Sequence, residues 1–196
     1  MDSASARALL VTQIRVPGDT LRVLASHEPA QFPIFLDSAA EGALARYSML
    51  AFEPDAGILR DAHGRLTAHH VDIGPGGFID NLDAWVRRES NARDVSKPLP
   101  FLGGWLVYLG YEMAAEVEPV LRLPEAGAPY SAFALRVSHL AVYDHAADAV
   151  YAVSQGGDAA KHARLISHLE HAASNPPPPL LENPRVDRWV EEAPEM

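Results

Sequence analysis

Residues 8 to 16, Ala-Leu-Leu-Val-Thr-Gln-Ile-Arg-Val, are largely apolar and rich in β-branched side chains. They predict a strand that stops at Pro17-Gly18. Asp19 then stands where an N-cap belongs, ahead of a short helix to Ser26 with Leu21 and Leu24 on one side. Apolar stretches over 32–36 and 47–52 predict two further strands. Ile58 to Arg60 and Arg65 to Ala68 flank the turn Asp61-Ala-His-Gly64 and read as a hairpin. Past the break at Gly74-Pro-Gly-Gly77, residues Phe78, Leu82, Trp85 and Val86 fall at i, i+4, i+7 and i+8, one face of an amphipathic helix. Asp80 and Asp83 lie early in it and Arg87 and Arg88 late, the sense that the helix dipole favours.

The segment from Phe101 to Tyr111, Phe-Leu-Gly-Gly-Trp-Leu-Val-Tyr-Leu-Gly-Tyr, carries no charge, follows Pro98 and Pro100, and is closed by Glu112. A continuous apolar run bounded in this way predicts a strand buried on both faces, and its aromatic content favours strand over helix. Gly103 and Gly104 mark a kink, a bulge, or a close approach by another backbone or a ligand. Glu112 to Val117 predicts a helical turn, and the proline-rich stretch 118–130 an irregular loop. Residues 134–143 and 149–154, on either side of Asp144-His-Ala-Ala-Asp148, predict a second hairpin. Asp158 is expected to cap a last helix with His162, Leu165, Ile166 and Leu169 on its buried side. A tetraproline from Pro176 to Pro179 then forms a stiff extended spacer before an acidic tail without a pattern of its own. The expected organisation is one domain over 1–175 followed by a linker over 176–196. The class is α+β, mainly antiparallel sheet with flanking helices.

At 196 residues the chain is long enough to bury a core. Sixteen basic against 26 acidic side chains leave a net charge of −10. Such a surface repels phosphate backbones, so nucleic acid is excluded as a partner, and any anionic ligand needs a local cationic pocket. The absence of cysteine removes disulfides, thiol catalysis and cysteine metal sites. No run approaches the ~20 apolar residues of a membrane span. The N-terminus Met-Asp-Ser-Ala-Ser-Ala-Arg lacks the basic-then-apolar pattern of a signal peptide. The expected location is the cytoplasm, with no membrane contact.

Most clusters of reactive side chains have plain structural readings. His69 and His70 are adjacent in an extended segment and are expected to face opposite ways. His168 and His171, three apart on the last helix, lack a third metal ligand. Ser38 and Ser138 lack the small-residue elbow of an exposed nucleophile, and the Gly74 turn lacks a phosphate-binding pattern. One group differs. Asp37 and Ser38 end a predicted strand, and Arg46 and Tyr47 open the next. A carboxylate, a hydroxyl, a guanidinium and an aromatic face together suit an aromatic amino acid in its zwitterionic form, with Asp37 on the ammonium, Arg46 on the carboxylate and Tyr47 on the ring. The competing reading is an Arg46–Asp37 ion pair that closes a turn.

Two segments resemble a known family. Pro100-Phe-Leu-Gly-Gly-Trp-Leu-Val-Tyr-Leu-Gly-Tyr-Glu112 resembles the "PF-x-GG-x-x-x-x-x-GYE/D" segment in the N-terminal half of the chorismate-utilising enzymes, although Val107 stands where many members have a small residue. Phe35-Leu-Asp-Ser38, Ala45-Arg-Tyr-Ser48 and Phe52-Glu-Pro54 resemble a second stretch of the same family in the same order, over a chain span of roughly 8 to 175. The short distance from Ser38 to Arg46 is similar to the aminodeoxychorismate synthase component I branch, with anthranilate synthase component I the closest rival. The resemblance implies one half of a layered fold. It also implies a tryptophan-type pocket lined by Leu36, Asp37, Ser38, Arg46 and Tyr47. Chemistry would rest on the other half: a lysine, acidic Mg²⁺ ligands and a chorismate-binding arginine match no position here, so no catalytic residue and no cofactor is assigned to this chain. The chain ends about where that half's first helix is expected, and on this reading is inactive alone. Its implied partners are its own C-terminal catalytic half, a glutamine amidotransferase subunit and L-tryptophan. A stand-alone amino-acid-binding regulatory domain is the reading of another class.

Overall fold

The computed structural model describes residues 9–38, 45–89, 99–118, 120–123 and 128–176. In chain order the elements are β1 (Leu10–Ile14), α1 (Thr20–His27), β2 (Ile34–Leu36), β3 (Tyr47–Ala51), β4 (Gly57–Asp61), β5 (Leu66–His69), α2 (Phe78–Glu89), β6 (Gly104–Leu109), α3 (Ala114–Val117), β7 (Tyr130–Val137), β8 (His139–Asp144), β9 (Ala149–Ser154) and α4 (Ala159–Ser174). The strands form two sheets, ordered β1-β9-β8-β3-β2 and β5-β4-β7-β6, with every pairing antiparallel. This is the α+β architecture expected from the pattern. The tail expected as linker lies, from residue 177 on, outside the described residues.

Alternation along each strand separates three apolar layers. Leu50, Ala141, Val150 and Ala152 of the first sheet meet Leu21 and Leu24 of α1 and Leu165 and Leu169 of α4. The opposite face of that sheet, with Ala51, Leu140, Val142 and Val153, packs with Leu99, Leu102 and Val137, and so joins the second sheet. Phe78 and Trp85 of α2 cover Ile58, Ala132 and Ala134 on the far side. As expected, Asp158 caps α4, its carboxylate accepting the Lys161 N–H at 2.9 Å. Asp19 precedes α1 but makes no side-chain cap hydrogen bond. No described helix is long and apolar enough to cross a membrane.

Three expectations change. The apolar run after Pro100 is not a strand buried on both faces. Only 104–109 are extended, and among the described residues β6 is an edge strand that pairs with β7. Val107, Tyr108 and Leu109 are 41%, 42% and 51% exposed, because no described layer lies over that end of the strand. Residues 134–143 are two strands. Ser138 interrupts them: Arg136 N–H donates to the Ala56 carbonyl in the second sheet, and Phe52 N–H donates to the His139 carbonyl in the first. Both strands are buried, so hydropathy runs on across the break. His69 and His70 do not face apart. Their rings stack with centroids 3.9 Å apart, since a φ of 51° at His70 ends the strand alternation.

The Gly103-Gly104 pair has a local cause. Gly103 has φ +118°, and a Cβ there would lie 2.6 Å from the Gln155 side chain; one on Gly104 would lie 2.9 Å from the Phe101 ring. The close approach is thus by neighbouring side chains. Gly103→Ala is expected to cost about 1–3 kcal/mol through backbone strain, read as a lower urea midpoint. An unchanged midpoint would mean the loop relaxes freely.

Candidate functional site

The end of β2 and the start of β3 lie against the turn that joins β8 to β9. β3 pairs with β8 so that Tyr47 faces Asp144 and Ser48 faces Tyr143 in the register. Tyr47 and Met49 point to the layer between the sheets, with Ile34, and alternation puts Leu36 on that side too. Leu36 is 49% exposed there. Phe35 and Tyr143 point to the helix layer. Asp37 and Ser48 share that side, and line a cavity with both of them.

Ser48 organises the helix side. Its buried hydroxyl lies 3.0 Å from Asp37 Oδ1 and 2.8 Å from His145 Nε2, and accepts the Ser38 N–H at 3.1 Å. Asp37 Oδ2 accepts a 2.6 Å hydrogen bond from Arg22. A carboxylate paired in this way only accepts, so the single Ser48 hydrogen goes to Asp37. His145 must then donate from Nε2 to Ser48, which leaves its Nδ1 without a partner in this network. Ser38 Oγ donates to the Tyr47 carbonyl at 2.6 Å.

Arg46 makes a forked pair with Asp144, Nε to Oδ1 at 3.0 Å and a terminal nitrogen to Oδ2 at 2.8 Å, with its guanidinium 4.8 Å above the Tyr47 ring. Asp144 also accepts the Ala146 and Ala147 N–H groups. The Arg46 hydrogen bond, helped by these amides, holds the Asp144 carboxyl below the ordinary range, and the same bond raises Arg46. The Arg46–Asp37 pair considered from sequence does not form; each residue has another partner.

The five sequence-derived residues therefore divide between two faces. Leu36 and Tyr47 border the inter-sheet layer, Asp37 borders the helix layer, Ser38 ties β2 to β3, and Arg46 ties β3 to the β8–β9 turn. On the helix side a cavity of about 120 Å³ is lined by Gly18, Asp19, Arg22, Phe35, Asp37, Ser48, Tyr143 and His145. Arg22, Tyr143 and His145 carried no sequence signal, because long chain separations, such as the 97 residues between Ser48 and His145, hide their convergence.

The other clusters are structural. His168 Nδ1 pairs with Glu28 at 2.6 Å and the ring packs on Phe32 and Phe52, while His171 lies 3.5 Å from Asn175. At the start of α2 the Gly74, Gly77 and Ile79 N–H groups donate to Asn81, Asp80 and Glu116, so side-chain oxygens take the places of an anion. Among the described residues no three histidines or carboxylates converge on a metal-sized point.

No family model matches this sequence, and no curated protein matches it. Among solved structures, the fold is similar to the crystal structure of anthranilate synthase component I from Streptococcus pneumoniae TIGR4, with a TM-score of 0.54 and 20% sequence identity. The similarity covers 85% of this chain and 38% of that one. At that identity the likeness is one of fold: the two antiparallel sheets and their helices are an arrangement also found within a chorismate-utilising enzyme.

Proposed function

We propose that this chain is the non-catalytic front portion of an enzyme that aminates chorismate, namely component I of aminodeoxychorismate synthase, which makes 4-amino-4-deoxychorismate for 4-aminobenzoate and folate. One observation carries the reading. A chain with two family-like segments in order adopts a fold similar to 38% of a chorismate-utilising enzyme over 85% of its own length. The short interval from Ser38 to Arg46 favours the aminodeoxychorismate branch. The similar solved structure is itself an anthranilate synthase component I, which favours that enzyme as a second reading.

On either reading the described residues supply a scaffold and one wall of a ligand pocket. Leu36 and Tyr47 offer an apolar, partly open surface to an aromatic amino acid such as L-tryptophan. Arg46 would have to share its fork with Asp144 in order to meet a ligand carboxylate. The Mg²⁺ expected in the whole enzyme would hold the ring carboxylate of chorismate. The described residues do not fit it, since they contain no convergent ligand set, and no step is assigned through it. The exposed β6 residues Val107, Tyr108 and Leu109 are a surface for the protein's own catalytic half. A glutamine amidotransferase would deliver ammonia to that half, in the cytoplasm.

The purified chain is expected to form no product from chorismate, ammonia and Mg²⁺. Mixed with a separately produced catalytic half of a chorismate-aminating enzyme, it should form a complex and restore turnover. Preferential complex formation with the catalytic half of an aminodeoxychorismate synthase or of an anthranilate synthase then decides between the branches. Turnover by the chain alone, or failure to join any such catalytic half, would overturn the reading.

A further inference from the structure

We propose that the cavity between α1 and the β8–β9 turn binds a small zwitterion, an ammonium group beside a carboxylate with at most a short side chain. The inference does not rest on the functional reading above, and the cavity opens on the helix face of the sheet, away from Leu36 and Tyr47.

Size sets the first limit. A cavity of about 120 Å³ has room for an α-amino acid of the glycine or alanine class.

Charge sets the second. Arg22 and Asp37 form a 2.6 Å ion pair whose side chains are 64% and 26% exposed, so both remain open to a ligand. A zwitterion laid antiparallel to this pair brings its carboxylate to the guanidinium and its ammonium to the Asp37 carboxylate. Asp19, which makes no cap hydrogen bond, adds a second carboxylate to the lining. His145, with Nε2 committed to Ser48, adds a polar ring edge to the lining. A lone anion would meet two aspartates and a lone cation would meet the guanidinium. A molecule with both charges satisfies each.

The site is also built rather than left over. Ser48 is 2% exposed, and its three hydrogen bonds fix Asp37, the Ser38 amide and His145 in one arrangement. Tyr143, its hydroxyl turned to Asp148, packs so closely on Gly18 that a Cβ there would lie 2.3 Å from the ring. Phe35 and Tyr143 provide apolar walls for the short stem of the ligand.

The test is an amide NMR titration of the labelled chain with glycine and with L-alanine, with methylammonium, acetate and L-tryptophan as comparisons. Saturable shifts are expected at Gly18, Asp37, Ser48 and His145 with glycine and alanine, and none with methylammonium or acetate at the same concentrations. Arg22→Gln and Asp37→Asn should each weaken glycine binding about tenfold or more, roughly 1.4 kcal/mol, while amides remote from the cavity keep their wild-type positions. Absence of saturable shifts in the wild-type chain would overturn the proposal. So would methylammonium or tryptophan binding as well as glycine, or Arg22→Gln binding unchanged.

Discussion

Arg136→Ala is expected to destabilise the chain by about 2–4 kcal/mol, because it removes a buried guanidinium from a partly buried ion pair and from carbonyl acceptors that it satisfies. The Arg136 side chain is 8% exposed, and its Nε lies 3.2 Å from Glu89 Oε2 at the end of α2. Its two terminal nitrogens donate to the Gly104 carbonyl at 2.8 Å, the Val137 carbonyl at 3.0 Å and Gln155 Oε1 at 2.8 Å. The guanidinium lies 4.7 Å above the Trp105 ring, which meets Trp85 edge-on. One planar cation thus holds β6, β7, the end of α2 and the residue after β9. Its loss leaves the Glu89 carboxylate without this cation and leaves carbonyl acceptors without their donors. Arg136→Lys keeps the charge but loses the fork, so it should fall between wild type and alanine. Urea unfolding checks both. A loss below about 1 kcal/mol for Arg136→Ala would show that water replaces the guanidinium at little cost.

The chain should also lose stability on acidification, chiefly between pH 6.5 and about 4. His139 is 4% exposed, and neither of its ring nitrogens has a hydrogen-bond partner. Burial, with a smaller contribution from the Lys161 charge, lowers its pKa to about 4, and the facing groups Asp158 and Asp55 oppose this only in part. His162, held between Ser154 and Thr12, is also lowered by burial and shifts the balance in the same direction. Across that window the unfolded chain binds the proton and the folded chain does not, so stability falls as pH falls. A shift from 6.5 to about 4 corresponds to roughly 3 kcal/mol. His139→Leu should flatten the profile and raise neutral stability by about 1–2 kcal/mol, because it removes two unsatisfied buried nitrogens. Parallel profiles for variant and wild type would assign the acid sensitivity to other groups.

What could be read in the sequence was what depends on near neighbours. The α2 face repeats within its own twelve residues, and the Asp158 cap acts three residues along the chain. What escaped was decided at a distance. Nothing local in Gly-Trp-Leu-Val-Tyr-Leu says that β6 has, among the described residues, a neighbour on one side only, because hydrophobicity reports a preference for burial and not whether a layer is there to provide it. The Ser138 break is silent for the opposite reason: both strands it separates are buried. At the candidate site, Asp37, Ser38 and Arg46 stood out because two short segments carry them. Their partners Arg22, Asp144 and His145 come from α1 and the β8–β9 turn, where no spacing rule ties them to β2 or β3.

The pairing of Leu10 with Ser154 has a consequence for how the molecule is made. Among the described residues β1 is at the edge of its sheet with β9 as its strand neighbour, so β1 leaves the ribosome well before the strand that it pairs with and waits for it. At usual translation speeds that wait is on the order of ten seconds. During it the β4–β5 hairpin and α2 can form from adjacent residues, while the apolar side of β1 stays open to chaperones or to wrong partners. Slowing elongation just before codon 149 should therefore lower the soluble yield of the natural chain. A circular permutant that begins ahead of β8 and runs on from the end of α4 into β1 should be nearly insensitive to the same pause.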